Sequence, residues 1–492
     1  MAHLDNIIEK SLLEIIKIWS CPINAFSRSP RPISSSTSTC NTLQRIWRRL
    51  RQLSRAKAIH RRYKPGDYGI TQSFYCYFLG LIVSREVSST RRILYRINKN
   101  NKDVLYVIIV CGIFARLIFA PFSSHGDLET FWISAQHFLF AKFDFYYFIH
   151  TRAGMWVYPP LWLWLVTGAY LVSFSTTAYD PSFLLLVKTP MIVADVTVAY
   201  VLYSLLGGDK GRFAAAFWLA NPMSIFITSI FGQFDPLVPA LLIISVLGLE
   251  RGMVVPSAVI YGSAIMTKQY AIFAAPLLIA RVLRDRGKGD ALKFTSLLTA
   301  TALLISLPFL ISGSRQVYFR EIWMTRSIVE YDDLYCQFAG LFQFLSWLHE
   351  RFKIDALPFF HSSYPMLFLT ISLSTGLAFS CKRMNYMTCC LISMAAFLTL
   401  SWYINPQYTV VFIPFMIYDV LAHNASKLWL ITTLLPFLWP LSSNGFAPYF
   451  RGTFSIPALG ACGVAISALI FFITLFTYMS ILISKCLKIA MR

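Results

Sequence analysis

The sequence predicts an all-α polytopic membrane protein of about twelve transmembrane helices, with helical loops on its outer face, and three observations lead there. Hydrophobic residues make up 56% of the 492, and the mean hydropathy is +0.57, richer in apolar residues than an average soluble domain. Stretches such as 213–230 and 294–310 hold no charged residue, which suits helices crossing a hydrocarbon core of about 30 Å. The net charge of +21 is uneven: residues 1–103 carry 19 Lys+Arg against 6 Asp+Glu. Basic residues stay on the cytoplasmic side of a membrane and touch anionic lipid there, so this leader is read as cytoplasmic and not as a nucleic-acid site.

Two regions follow from this. Residues 1–103 form a basic cytoplasmic region, partly disordered. It has an amphipathic surface helix at 7–19, broken by Glu9, Lys10, Glu14 and Lys17, which is not a secretory signal. A Ser/Thr-rich linker at 34–42 cannot bury a core, and the 16-residue apolar stretch at 69–84 suits an interfacial or re-entrant segment. Residues 104–492 form the multi-spanning domain. Its spans are expected at 104–122, 156–173, 183–206, 213–230, 236–249, 254–281, 294–310, 364–380, 386–404, 408–421, 428–441 and 457–483.

With the leader inside, strict alternation puts the basic 281–293 loop, Lys382 and Arg383, and the C-terminal Lys485, Lys488 and Arg492 inside. It puts the two longest loops, 123–155 and 312–363, outside. One loop disagrees: 207–212 carries Lys210 and Arg212 yet falls outside, which leaves open that one of the short helices nearby does not cross, and the side of Gln233 and Asp235 depends on that. The sequon Asn424-Ala425-Ser426 falls inside and is expected to be unused. The ten cysteines show no CxxC or His-Cys spacing, so neither a zinc site nor a disulfide framework is read from them.

The outer segments hold the residues that could carry chemistry. The first loop contains Ser124-His125-Gly126-Asp127-Leu128-Glu129. An acid at the mouth of a membrane cleft can take a proton from an acceptor hydroxyl, and Asp127 is the candidate. Its alternative is to cap a helix beginning at Leu128. The loop ends on Tyr158-Pro159-Pro160-Leu161, where proline can open a helix.

Ionisable groups inside apolar spans are costly unless paired or wet. Lys188 and Asp195, two turns apart on one face, could neutralise partners between helices. Asn221-Pro222 precedes Gly232-Gln233-Phe234-Asp235, and Lys268 stands in a span near no evident acid, suited to a phosphate oxygen. Arg320 and Arg326 in the second loop could hold a phosphate bidentately, or be solvated. Asn405-Pro406-Gln407-Tyr408 sits at the outer end of two spans, so three separate segments converge on one face.

These residues resemble the GT-C superfamily of glycosyltransferases, above all the mannosyltransferase that adds the first mannose to GPI-anchor precursors and its archaeal and bacterial relatives. The likeness runs from Arg116 to Phe415 through Asp127, Tyr158-Pro159-Pro160-Leu161, Asn221-Pro222, Gly232-Gln233-Phe234-Asp235, Lys268 and Asn405-Pro406-Gln407-Tyr408. It implies a GT-C-like fold and an inverting transfer of a hexose, foremost mannose. The donor it implies is a dolichyl- or polyprenyl-phosphate sugar, the acceptor a glycan or lipid-linked molecule on the non-cytoplasmic face.

By the same resemblance Asp127 is the catalytic base, while Lys268, Arg320 and Arg326 are expected at the donor phosphate on their own chemistry. His125, Glu129, Tyr158, Gln233, Asp235, Gln407 and Tyr408 line the cavity. The resemblance implies no metal and no cofactor beyond the lipid-linked donor. The partners are then membrane lipids and the two substrates, with no protein partner indicated, and a cell membrane is favoured over an ER membrane. The long basic leader departs from the family pattern, as does the single close aspartate, followed by Glu129, where relatives place paired acids. A transporter or flippase is the alternative, since twelve spans with buried charges fit one too.

Overall fold

The computed structural model describes residues 103–152, 156–324, 348–349, 351–353, 370–374, 376–377, 384–400, 404–442, 449 and 460–490. The chain divides into two compact units, Met1–Arg92 and Ile93–Arg492, and every described residue belongs to the second. The expected features of the leader at 7–19, 34–42 and 69–84 lie outside the described residues, as does most of the expected span at 364–380. Every regular element among the described residues is helical, as the apolar periodicity implied.

The elements follow the local chemistry. Helix α1 (103–117) ends in a run of turns to residue 122. Helix α2 is Gly126–Ala141 and α3 is Phe145–Thr151. Pro160 opens α4 (Pro160–Ser173) and Pro181 opens α5 (Pro181–Leu206), each at the first turn, where the missing N–H would have had no partner. Asp180 caps α5 by accepting from the Ser182 amide at 2.9 Å.

Helix α6 (Gly208–Leu219) stops at Asn221, whose side-chain oxygen accepts from the amides of Met223 and Ser224 to start the short α7 (Pro222–Ile225). A π-helical turn, Phe226–Phe231, follows and ends at left-handed Gly232 (φ +77°). The two halves are bent by 45° at this break, which a proline with its own cap produces.

Helix α8 (Leu237–Glu250) leads to α9 (Val254–Thr267), which stops at Lys268 in extended backbone before the 3-10 turns of Gln269–Ala274. The rest comprises α10 (Ala275–Arg286), α11 (Lys288–Ile311), α12 (Arg315–Phe319), α13 (Tyr386–Leu400), α14 (Ile413–Ala422), α15 (Leu438–Ser442) and α16 (Gly460–Ala490).

Among the described residues three helices are long and apolar enough to cross a membrane, Pro181–Leu206, Lys288–Ile311 and Ala465–Lys485, and the bent pair Gly208–Leu219 with Pro222–Phe231 makes a fourth. Six apolar helices are shorter, including Pro160–Ser173, Leu237–Glu250 and Val254–Thr267. Fourteen residues of α-helix reach about 21 Å, short of a 30 Å core. The expected span at 254–281 is in fact two helices joined by 3-10 turns around Lys268. Such backbone is tolerated at membrane depth only where protein or a wet cavity covers it.

Contacts sort the bundle into two ends. At one end Ser123 bonds Ser229, Gln233 bonds Asp127, Lys268 bonds Asp235, and Ser124 donates to the Tyr449 carbonyl. At the other, Lys210 Nζ donates to the Leu421 carbonyl (2.8 Å) and to Asn424 Oδ1 (2.7 Å). There too Thr388 meets Asp419, the Tyr386 amide meets Glu250, and Gly252 lies against Arg286.

This corrects the expected topology. The 207–212 loop lies at the same end as 421–427, not opposite to it, and Gln233 and Asp235 lie at the Asp127 end. The reason is α4. Near its start Trp162 packs on Phe131 of α2, while beyond its end Ser175 accepts from Trp132 of α2 (3.0 Å) and Tyr179 donates to Glu129 of α2 (2.7 Å). Both ends of α4 adjoin α2, so it does not carry the chain from one end of the bundle to the other.

The core beneath α2 is aromatic. Trp162 stacks on Phe234 at 4.5 Å and meets Phe131 edge-on at 5.4 Å. Phe145, Tyr146, Trp156, Phe309 and Tyr318 continue the cluster. Such pairs add to the burial of their area, and here they make a firm floor under the loop that carries Asp127.

Candidate active site

Asp127 occupies the first turn of α2, but it does not cap that helix. The helix begins one residue earlier, at Gly126, and His125 is the cap: its Nδ1 accepts from the Asp127 amide at 3.3 Å. The carboxylate is therefore left free for other work. Of the two readings the local pattern allowed, capping is excluded by geometry.

The Asp127 side chain is 38% exposed, its Oδ2 stands 3.6 Å from His125 Nδ1, and the amide of Gln233 donates to the same oxygen. Gln233 itself is fully buried, and its Oε1 has no hydrogen-bond partner among the described residues. A carboxylate offers about four acceptor positions. One amide donor orients it and leaves capacity for a hydroxyl arriving from the open side. The helix N-terminus also favours an anion at this position.

His125 is held between rings, 4.3 Å from Phe231 and 5.7 Å from Tyr449. Glu129 is exposed and accepts from Tyr179, so it is bound to the loop before α5. Tyr449 is a site neighbour that sequence reasoning missed. It lies more than three hundred positions from His125 and no motif surrounds it, so no local signal could have marked it.

Beside this acid lies a second, buried group. Lys268 Nζ pairs with Asp235 Oδ2 at 2.6 Å, and Tyr270 donates to Asp235 Oδ1 at 3.0 Å. The ammonium sits over the rings of Phe234 (4.6 Å), Tyr408 (4.7 Å) and Tyr158 (5.4 Å), an aromatic setting that stabilises a cation. This corrects the expectation that Lys268 stands within a span near no acid. It sits at the break between α9 and the 3-10 turns, and the turn after Gly232 brings Asp235 to it. Lys268 is 1% exposed, so its ammonium lies beneath the surface of the site with this carboxylate.

Gln407 and Tyr408 are both buried in the 3-10 turns Pro406–Val411, and it is the Tyr408 ring that faces Lys268. Arg320 is exposed on the π-helical turn Arg320–Met324. That turn docks on the site because Gln269 donates to the carbonyls of Val157 (3.0 Å) and Ile322 (3.5 Å). Arg326 lies outside the described residues. The structure thus brings together His125, Asp127, Tyr158, Gln233, Asp235, Lys268 and Tyr408 from separate segments of the chain.

The other buried charges are accounted for separately. Asp195 does not neutralise Lys188. Arg116 Nε pairs with it at 2.7 Å, and Ser224 and Thr228 donate to the same carboxylate oxygen. Partnering of this kind is what a charge in an apolar bundle requires.

None of the curated proteins compared with the chain matches it. Residues 156–406, just over half of its length, match the family model of Glycosyltransferase family 87. The match takes in Tyr158, Gln233, Asp235 and Lys268. It begins after Asp127 and stops just before Gln407. Apolar helices with an acid set at one end, and a family match across the segments that surround that acid, lead to one conclusion: this chain belongs to Glycosyltransferase family 87 and is a membrane glycosyltransferase.

Proposed function

We propose that the chain is an inverting, GT-C-like enzyme. It moves a hexose, foremost mannose, from a dolichyl- or polyprenyl-phosphate donor to a glycan or lipid-linked acceptor on the non-cytoplasmic face of a cell membrane. The observation that carries this reading is the Asp127 carboxylate, half-open at the end of the bundle and oriented by Gln233. The membrane orientation is supported by charge: Lys210, Arg212, Arg251 and Arg286 gather at the end opposite Asp127, where the positive-inside rule wants them. On this reading α4 lies on the outer face and 254–286 crosses twice, so the proposed count of about twelve crossings is kept.

In this mechanism Asp127 accepts the proton of an acceptor hydroxyl while that oxygen attacks the anomeric carbon opposite the phosphate. The bond from that carbon to the phosphate oxygen breaks, and the lipid phosphate leaves. Arg320 and Arg326 are the groups offered to its charge, since fixed donors at the leaving oxygen lower such barriers. Lys268, set among the rings of Phe234 and Tyr408 with Asp235 beside it, is the third cation of this reading. The resemblance to the GPI first mannosyltransferase supports mannose, and membership of a glycosyltransferase family favours transfer over transport.

Asp127→Asn keeps the size of the side chain and an oxygen for Gln233 but removes the base. With the full chain in nanodiscs and a panel of polyprenyl-phosphate hexoses, transfer measured by product mass spectrometry should fall about 10²- to 10⁴-fold. Wild-type transfer by a folded Asp127→Asn protein would rule Asp127 out as the base.

A further inference from the structure

Lys188 has the most unusual surroundings of any buried charge among the described residues. Its side chain is fully buried on α5, and no carboxylate of the described residues pairs with it. Instead Nζ donates to oxygens on two other segments: the carbonyls of Ala120 (2.9 Å) and Ser123 (2.7 Å), the Ser123 hydroxyl (3.1 Å) and the Ser229 carbonyl (2.9 Å). Ala120 belongs to the turns that end α1, Ser123 directly follows them, and Ser229 belongs to the last π-helical turn before Gly232. Carbonyls at helix ends lack partners within their own helix and favour a cation. One ammonium here serves two helix ends at once.

Both segments run directly into the site. Asp127 follows Ser123 by four residues, and Gln233 follows Ser229 by four. Ser123 Oγ itself donates to the Ser229 carbonyl at 2.7 Å, joining the two. Gly232 lies between them with φ +77°. A Cβ there would stand 2.8 Å from Lys188 Cε and 2.9 Å from Leu128 Cδ1, so only a bare backbone lets the lysine stem and the residue after Asp127 close on each other.

We infer that Lys188 is a positioning residue: by holding the carbonyls of Ser123 and Ser229 on one ammonium, it sets the Gln233 amide against the Asp127 carboxylate, and Gly232 is the space that permits it. The inference rests on the reading of Asp127 as the base, and its test separates the two.

Lys188→Met keeps the length and apolar stem and removes the ammonium. The full-length variant in nanodiscs is compared with wild type by hydrogen–deuterium exchange, and by turnover with polyprenyl-phosphate mannose as donor and octyl mannoside as acceptor. Exchange should rise at 119–127 and 229–235 while α9 and α14 keep their protection. kcat should fall about 100-fold with KM unchanged, the scale expected of a group displaced by about 1 Å. Unchanged protection in those two segments, or unchanged kcat, overturns the inference.

If Lys188→Met loses protection everywhere, the decision passes to Gly232→Ala, which retains the ammonium but forces it away from Leu128. Local loss of protection with lowered kcat supports the inference, and wild-type behaviour overturns it. If the wild-type chain itself transfers no sugar, the reading of Asp127 fails, while the exchange pattern still decides the role of Lys188.

Discussion

The Asp235–Lys268 pair allows a quantitative test of what a buried charge does in this fold. Asp235 is fully buried and Lys268 1% exposed. Asp235→Leu takes from the Lys268 ammonium the carboxylate it pairs with and removes the acceptor of the Tyr270 hydroxyl. Breaking a buried pair from one side costs about 3–5 kcal/mol, because the surviving charge is uncompensated. Replacing both members with apolar residues is often neutral, so Asp235→Leu with Lys268→Met should recover most of that loss. The orphaned Tyr270 hydroxyl should keep about 1 kcal/mol of it.

The assay heats each protein in detergent with a maleimide and follows labelling of the Cys389–Cys390 peptide by mass spectrometry, since both thiols are fully buried in the native state. The single variant should label at a clearly lower temperature than wild type, with the double variant between them and nearer wild type. A double variant as labile as the single would refute the argument that the isolated charge is the cause. Transfer activity adds a second reading: a stable double variant that still turns over means Lys268 does not hold the donor phosphate.

Other outcomes follow from single contacts. Asp180 accepts from the Ser182 hydroxyl (2.8 Å) and amide (2.9 Å), which hold its carboxyl below the ordinary value. Because the folded value is the lower one, this cap contributes fully above the ordinary carboxylate pKa and is lost as pH falls through the lowered value. Asp180→Ala should therefore speed amide exchange at the start of α5 at neutral pH, and the difference from wild type should vanish in strong acid. Equal exchange at neutral pH would remove Asp180 as a cap. For sidedness, Lys210→Cys and Asn424→Cys should react with an impermeant maleimide from one side of sealed vesicles, and Glu129→Cys from the other. Labelling of Lys210→Cys and Glu129→Cys from the same side would overturn the placement of α4.

What local pattern can encode is legible in the residues alone. Apolar runs specify helices, prolines at 160, 181 and 222 mark where helices open, and an aspartate just beyond an apolar run marks a candidate acid, because each depends on neighbours a few residues away. The order of the site segments along the chain is legible for the same reason. Only the tertiary structure decided what those residues touch.

Asp127 is freed from capping because His125 takes the amide. Its oxygen meets an amide 106 positions on, and Lys268 finds an acid 33 positions back. Lys188 bonds carbonyls, which every residue has and no sequence pattern announces. Partners of this kind are chosen by how helices pack and where they break, and the energy of a buried charge depends on those partners more than on the residue that bears it.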